Sequence, residues 1–202
     1  MMILHSSPAS PFVRKVRIAI ALLGLGDRIE MREADLNAAA DPVRRDNPLG
    51  KIPALVREDG RVLYDSRVIL DYLDHLAGGG RIVPREAEAR FAALTLQALC
   101  DGALDASVLI VYEGRYRPKE MHVAAWIERQ AAKVERALAA LEQTAPPLSG
   151  TPHVGQIALV CLLGYRDFRF DGGWRSTYPR LHAWHDAFAA AVPAFASTAP
   201  PG

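Results

Sequence analysis

The chain has 202 residues, 50% of them hydrophobic, with 24 basic and 23 acidic side chains for a net charge of +1. It is long enough to bury a core as one large domain or two small ones, and the charge balance gives no electrostatic case for nucleic acid or an anionic membrane surface. No run approaches the roughly 18 uninterrupted apolar residues of a membrane-crossing helix, the N-terminal residues lack the basic lead of a signal peptide, and Cys100 and Cys161 form no Cys-x-x-Cys pair for zinc or dithiol chemistry. A metal-free cytoplasmic protein is expected, with both cysteines acting as small buried hydrophobes.

Residues 2–5 read as a short strand and residues 8–10 as a loop. Residues 11–23 follow as a helix, with Val13, Val16, Ile20 and Leu23 at helical spacing and Gly24 and Gly26 at its end. Residues 29–34 suit a second strand and residues 41–46 a short polar helix. Residues 54–56 and 62–64 flank Asp59-Gly60, the pattern of a hairpin. Residues 66–76 carry Val68, Ile69, Tyr72, Leu73 and Leu76 on one helical face. The result is a compact α/β unit over residues 1–78, with Gly78-Gly79-Gly80 as the linker. Residues 85–202 read as helix only. A long helix begins near Phe91, and a second runs from Pro118 to about Gln143 with an apolar stripe at Ile127, Ala131, Val134, Leu138 and Leu141. Residues 154–164 are apolar nearly all round, as in a buried central helix, and residues 178–190 form a final amphipathic helix.

Three segments carry candidate chemistry. Ser10 before Pro11 makes a good N-cap and N1 pair, and its hydroxyl can also face a ligand. Ser6 and Ser7 are rivals in the same loop, further from the helix start, and His5 reads as a strand-end residue. Pro53 after Ile52 is either an ordinary proline at a strand start or a cis bond with a purpose. Asp65 and Ser66 precede a helix, where capping and ligand binding are compatible. Arg14 and Lys15 read as a solvated face or as long-range attraction for an anion.

These motifs are Ser10-Pro11-Phe12-Val13-Arg14-Lys15, Asn47-Pro48-Leu49-Gly50-Lys51-Ile52-Pro53 and Tyr64-Asp65-Ser66-Arg67, and a C-terminal Tyr178-Pro179-Arg180-Leu181-His182-Ala183-Trp184 follows them. In this order they resemble the glutathione S-transferase family over almost the whole chain, and within it a bacterial subgroup with serine at the first helix. The resemblance implies a thioredoxin-like N-terminal domain followed by an all-helical C-terminal domain, a homodimer, and glutathione as co-substrate with a small electrophile as its partner. It implies Ser10 as the group facing the glutathione sulfur. Phe12, Lys51, Ile52, Pro53, Asp65 and Ser66 would lie around the tripeptide. Lys51 would approach the glycyl carboxylate, Ile52 the cysteinyl backbone, Asp65 the γ-glutamyl ammonium and Ser66 its carboxylate. Val108, Tyr112 and Tyr165 are candidates for the second-substrate pocket, with core packing as the competing role.

Two departures stand out. No tyrosine precedes Tyr64, which favours a serine type over a tyrosine type. The family's Ser or Thr cap three residues before Asp is replaced by His153-Val154-Gly155-Gln156, so a weak start to the central helix is expected. Asp101 and Asp105 resemble a stretch of the subgroup's long helix without an assignable role. A binding or regulatory protein that kept the fold remains an alternative. So does a glutathione-dependent thiol reductase or peroxidase, although a reductase usually needs cysteine at position 10.

Overall fold

The computed structural model describes residues 1–201 and divides into two compact units. The first holds Met1–Arg90 and the chain from Val192 on; the second is Phe91–Ala191. The glycine run therefore lies inside the first unit, and the chain from Val192 on groups with that unit.

In the first unit, strands β1 (Met2–Ser6), β2 (Ile29–Glu33), β3 (Ala54–Val56) and β4 (Val62–Leu63) form one sheet in the order β2-β1-β3-β4. β1 runs parallel to β2 and antiparallel to β3, and β3 is antiparallel to β4. The parallel pair needs a crossover, supplied by α1 (Pro11–Leu23), which ends on Gly24 at φ 69. Glycine enters that left-handed region without a Cβ penalty. α2 (Pro42–Asp46) and α3 (Ser66–Leu76) complete the α/β layer. Leu4, Val16, Ile20, Leu55, Ile69, Leu70 and Leu73 are among its buried residues.

Arg14 and Lys15 are not on a solvated face. Both are buried. The Arg14 guanidinium donates to the Phe195 carbonyl at 2.7 Å and stacks 3.9 Å from the Phe195 ring, which holds α9 (Pro193–Ser197) to α1. A buried cation needs such partners to offset lost hydration.

The second unit contains α4 (continuing from Ala87–Tyr116), α5 (Ala124–Thr144), α6 (Val154–Phe170), the short α7 (Trp174–Thr177) and α8 (Pro179–Ala191). α7 and α9 are short elements that periodicity did not reveal, and α6 runs six residues beyond the expected stretch. By length and composition alone α4 is apolar enough to cross a membrane. Its buried residues include Gln97, Asp101, Ser107 and Glu113, a pattern that suits a core helix and not a lipid-facing one. At Gly155 a Cβ would lie 2.7 Å from the Ala93 carbonyl, so α6 approaches α4 at backbone contact.

His153 corrects the expected weak cap. Its Nδ1 accepts from the Gly155 and Gln156 N–H groups at 3.2 and 3.4 Å, while the Gln156 side chain accepts from the His153 N–H at 2.9 Å. An imidazole can fill this role only while Nδ1 is unprotonated. Burial holds His153 below its ordinary value of 6.5, and burial with Arg175 alongside does the same to His185. The unfolded chain therefore binds these protons first, and stability falls as pH drops from about 6.5 towards the lowered values. Replacing His153 by Asn keeps an acceptor that does not titrate, so the variant should lose less stability than the parent between pH 7.5 and 5.5, by about 1 kcal/mol. Urea midpoints at the two pH values measure the difference; parallel losses would rule out a titrating cap.

Candidate active site

Sheet register brings the three sequence motifs together. β1 ends at Ser6 and leads through residues 7–9 to Ser10. β3 begins at Ala54, opposite His5, so Ile52 and Pro53 lie at that same end of the sheet. β4 closes the hairpin with Leu63 opposite Leu55, and the chain then passes Tyr64 to Asp65 and Ser66 beside the start of β3. A loop, a strand start and a helix start thus converge from positions far apart in the chain.

Ser10 caps α1. Its Oγ accepts from the Val13 N–H at 3.3 Å, and Pro11 occupies the first helical position. The O–H donor of Ser10 has no acceptor among the described residues, so it is available to a ligand at a positively polarised helix start. The Ser6 hydroxyl instead donates to the Arg32 carbonyl at 3.2 Å, within the sheet, and Ser7 gives its carbonyl to the Ser10 N–H. His5 is buried in β1 with Nε2 2.8 Å from Asp46 Oδ2. That contact ties β1 to α2.

The Ile52-Pro53 bond is cis, and so is Tyr64-Asp65. Ile52 is half-buried against Ala34, Val43 and Ala54, and neither its N–H nor its carbonyl is hydrogen-bonded among the described residues. That leaves one donor and one acceptor side by side, the pattern a peptide needs. The loop before it is set by Asn47, which is 1% exposed. Its amide donates to the Lys51 carbonyl at 2.8 Å and accepts from the Leu49 N–H at 3.1 Å. The Lys51 side chain is left exposed.

Asp65 is the N-cap of α3, accepting from the Arg67 N–H at 2.9 Å and pairing with the Arg67 side chain at 2.7 Å. Burial raises its carboxyl, but the Arg67 side chain and N–H, with Lys15 beyond, prevail and hold it below the ordinary carboxylate range. Ser66 is 2% exposed at the first helical position, and its Oγ accepts from Lys15 Nζ at 3.1 Å. Lys15 also lies 5.8 Å from the half-buried Phe12 ring. A carboxylate, a buried ammonium and the N–H groups of a helix start thus share one spot. Such a spot suits a zwitterion such as an α-amino acid end. Arg67 and Asn47 were not singled out from sequence as binding or positioning groups, and Lys15 was read only as a solvated residue or a long-range attraction for an anion, not as the buried partner of Ser66.

The family model for the glutathione S-transferase N-terminal domain matches residues 4–81, and that for the C-terminal domain matches residues 124–187. The chain belongs to the glutathione S-transferase family. It is similar to the uncharacterized GST-like protein YibF of Escherichia coli K12, at 34% identity over 88% of this chain and 89% of that protein. It is also similar to a glutathione transferase family member from Pseudomonas fluorescens Pf-5 with bound glutathione, at 41% identity, full coverage of both chains and a TM-score of 0.91. A glutathione S-transferase from Methylobacillus flagellatus KT with glutathione bound matches at 38% identity, full coverage and a TM-score of 0.92.

The second-substrate candidates of this transferase fold all lie in the helical unit. Val108 is half-buried on α4, Tyr112 is 36% exposed one turn on, and Tyr165 is 6% exposed on α6. Burial pushes both tyrosine hydroxyls up, with Tyr116 adding to the rise at Tyr112 and Tyr112 to that at Tyr165. Asp101 is buried and Asp105 exposed on α4, and neither acquires a chemical role. No group of three or more His, Cys, Asp or Glu side chains placed to hold a metal occurs among the described residues.

Proposed function

We propose that the chain is a serine-type glutathione transferase that joins glutathione to a small electrophile, acting as a cytoplasmic homodimer in detoxification. The observation that carries this reading is the convergence of the Ser10 hydroxyl, the unbonded Ile52 backbone and the Asp65–Ser66–Lys15 cluster at one end of the sheet. Asp65 would receive the γ-glutamyl ammonium. Ser66 and the start of α3, with Lys15 behind, would receive its carboxylate, Ile52 the cysteinyl backbone and Lys51 the glycyl carboxylate. Phe12 and Pro53 would wall the tripeptide. The glutathione proton leaves to solvent, the Ser10 O–H donates to the thiolate, a carbon–sulfur bond forms, and the leaving group departs with its electron pair. The Pseudomonas relative also holds S-(propanoic acid)-glutathione, a thioether of the kind such a reaction makes. Two buried free cysteines fit a reducing compartment.

Calorimetry and turnover of a chromogenic halonitrobenzene test the reading together. The wild type should bind glutathione and turn over the halide, and Asp65→Ala should weaken glutathione binding about tenfold or more through loss of a charge-assisted contact. An unaltered dissociation constant in Asp65→Ala removes that residue from the site. Glutathione binding without turnover of any electrophile favours a non-catalytic protein.

A further inference from the structure

One peptide group in the first unit is held at one end and open at the other. Asn47 follows the last residue of α2, and its side-chain amide donates to the Lys51 carbonyl at 2.8 Å. That carbonyl and the Ile52 N–H belong to the same peptide bond, which is trans. A trans peptide is planar and points its C=O and N–H in opposite directions. Holding the oxygen therefore fixes where the Ile52 N–H is aimed, and that N–H meets no acceptor among the described residues.

Asn47 is itself braced. It is buried, its side-chain oxygen accepts from the Leu49 N–H at 3.1 Å, and its own N–H donates to the Val43 carbonyl at 2.7 Å. Its carbonyl accepts from the Gly50 N–H at 2.8 Å, closing a turn in which Gly50 takes φ 58. Glycine makes that left-handed step without a Cβ penalty, and the step brings Lys51 back within reach of the amide. The end of α2 is tied to β1 through Asp46 and His5 at 2.8 Å. Val43 of the same helix belongs to the apolar cluster against which the Ile52 side chain packs. One short helix thus holds Ile52 by its side chain and by the carbonyl before it. Only a side-chain amide offers the donor and the acceptor that this arrangement uses, because a carboxylate has no donor.

We propose that Asn47 is a positioning residue for the thiol-bearing ligand: by holding the Lys51 carbonyl it aims the Ile52 N–H at a carbonyl oxygen of that ligand. The inference rests on the transferase reading and deepens it. It places selectivity in the backbone, since a ligand with a carbonyl on its thiol-bearing residue pairs the aimed donor and one without that oxygen leaves it unpaired.

A matched pair of ligands tests this without requiring turnover. The ethyl ester of γ-glutamylcysteine and the ethyl ether of γ-glutamylcysteinol differ only in C=O against CH2 and carry the same charges, so their affinity ratio reads this one contact. Both are titrated calorimetrically into the full chain, with glutathione as the reference. The ester should bind the wild type about fivefold tighter, the size of one neutral hydrogen bond. Asn47→Ala and Asn47→Asp should each bring the ratio to about one, while the ether binds within a few-fold of its wild-type affinity. Asn47→Asp keeps the oxygen that takes the Leu49 N–H, and so the turn, but sets an oxygen against the Lys51 carbonyl. It supplies the answer if Asn47→Ala fails to fold. A role confined to stability would lower the urea midpoint of both variants and leave the ratio as it was, which overturns the proposal. So does a ratio near one in the wild type. Glutathione binding without this discrimination overturns the present inference alone; no glutathione binding by the wild type overturns the transferase reading with it.

Discussion

Ser10→Ala is expected to lower turnover by one to two orders of magnitude while glutathione affinity stays within a few-fold. A free thiol titrates near about 8.5. Bringing it down by about two units takes roughly 2.7 kcal/mol of preference for the thiolate. A hydrogen bond to a charged group supplies about 1.5–3 kcal/mol and a helix start about 0.3–1 kcal/mol. The geometry provides both, because Ser10 uses its oxygen to cap α1 and keeps its O–H to donate. Losing the hydroxyl removes the larger part, offset a little because a more basic thiolate is a better nucleophile. Capping and chemistry must be separated, since an alanine at an N-cap costs about 1 kcal/mol of stability while glycine costs only a few tenths. Ser10→Gly should therefore fold normally and still lose turnover, and Ser10→Thr should keep most of it. The absorbance of bound thiolate near 240 nm, followed with pH, reads the effect directly. If bound glutathione titrates alike in the wild type and Ser10→Gly, the serine is a cap and nothing more.

The candidate site was legible where its signals are local. Ser10-Pro11 writes a helix start, Ile52-Pro53 a break before a strand, and Asp65-Ser66 another helix start, each within a few residues. What was illegible is what reaches them from elsewhere. Arg14 and Lys15 sit in an amphipathic helix where charge reads as solvent exposure. Yet α9 returns from the far end of the chain to cover one, and Ser66 meets the other. Charge sets the cost of burial, but only the fold says whether a partner has arrived to offset it. His153 failed as a sequence reading for a related reason: imidazole ranks low as a cap on average, while here Nδ1 happens to face two N–H groups.

The glycine run after α3 read as a linker, and in the structure Asp74 anchors the loop that follows it. Asp74, 4% exposed near the end of α3, takes the Gly80 N–H at 2.7 Å on Oδ2, and the Arg81 and Ile82 N–H groups at 2.9 and 2.7 Å on Oδ1. Gly78, Gly79 and Gly80 take φ values of 99, 74 and 78 to wrap the chain around that carboxylate, a region where side chains are strained. The turn delivers Ile82 and Val83 into the core. In Asp74→Asn one oxygen becomes an NH2 group that must face a backbone donor, and the remaining bonds lose their charge. The expected cost is about 3 kcal/mol, the sum of an orphaned buried donor and weakened charge-assisted bonds. Urea denaturation should show a lower midpoint at an unchanged slope. Glutathione binding by the folded variant should change little, since Asp65 and Ser66 lie at the opposite end of α3. A midpoint equal to the parent's would mean that the glycines hold their turn unaided. A lost affinity at full stability would mean instead that the carboxylate sets the position of α3 beneath the ligand.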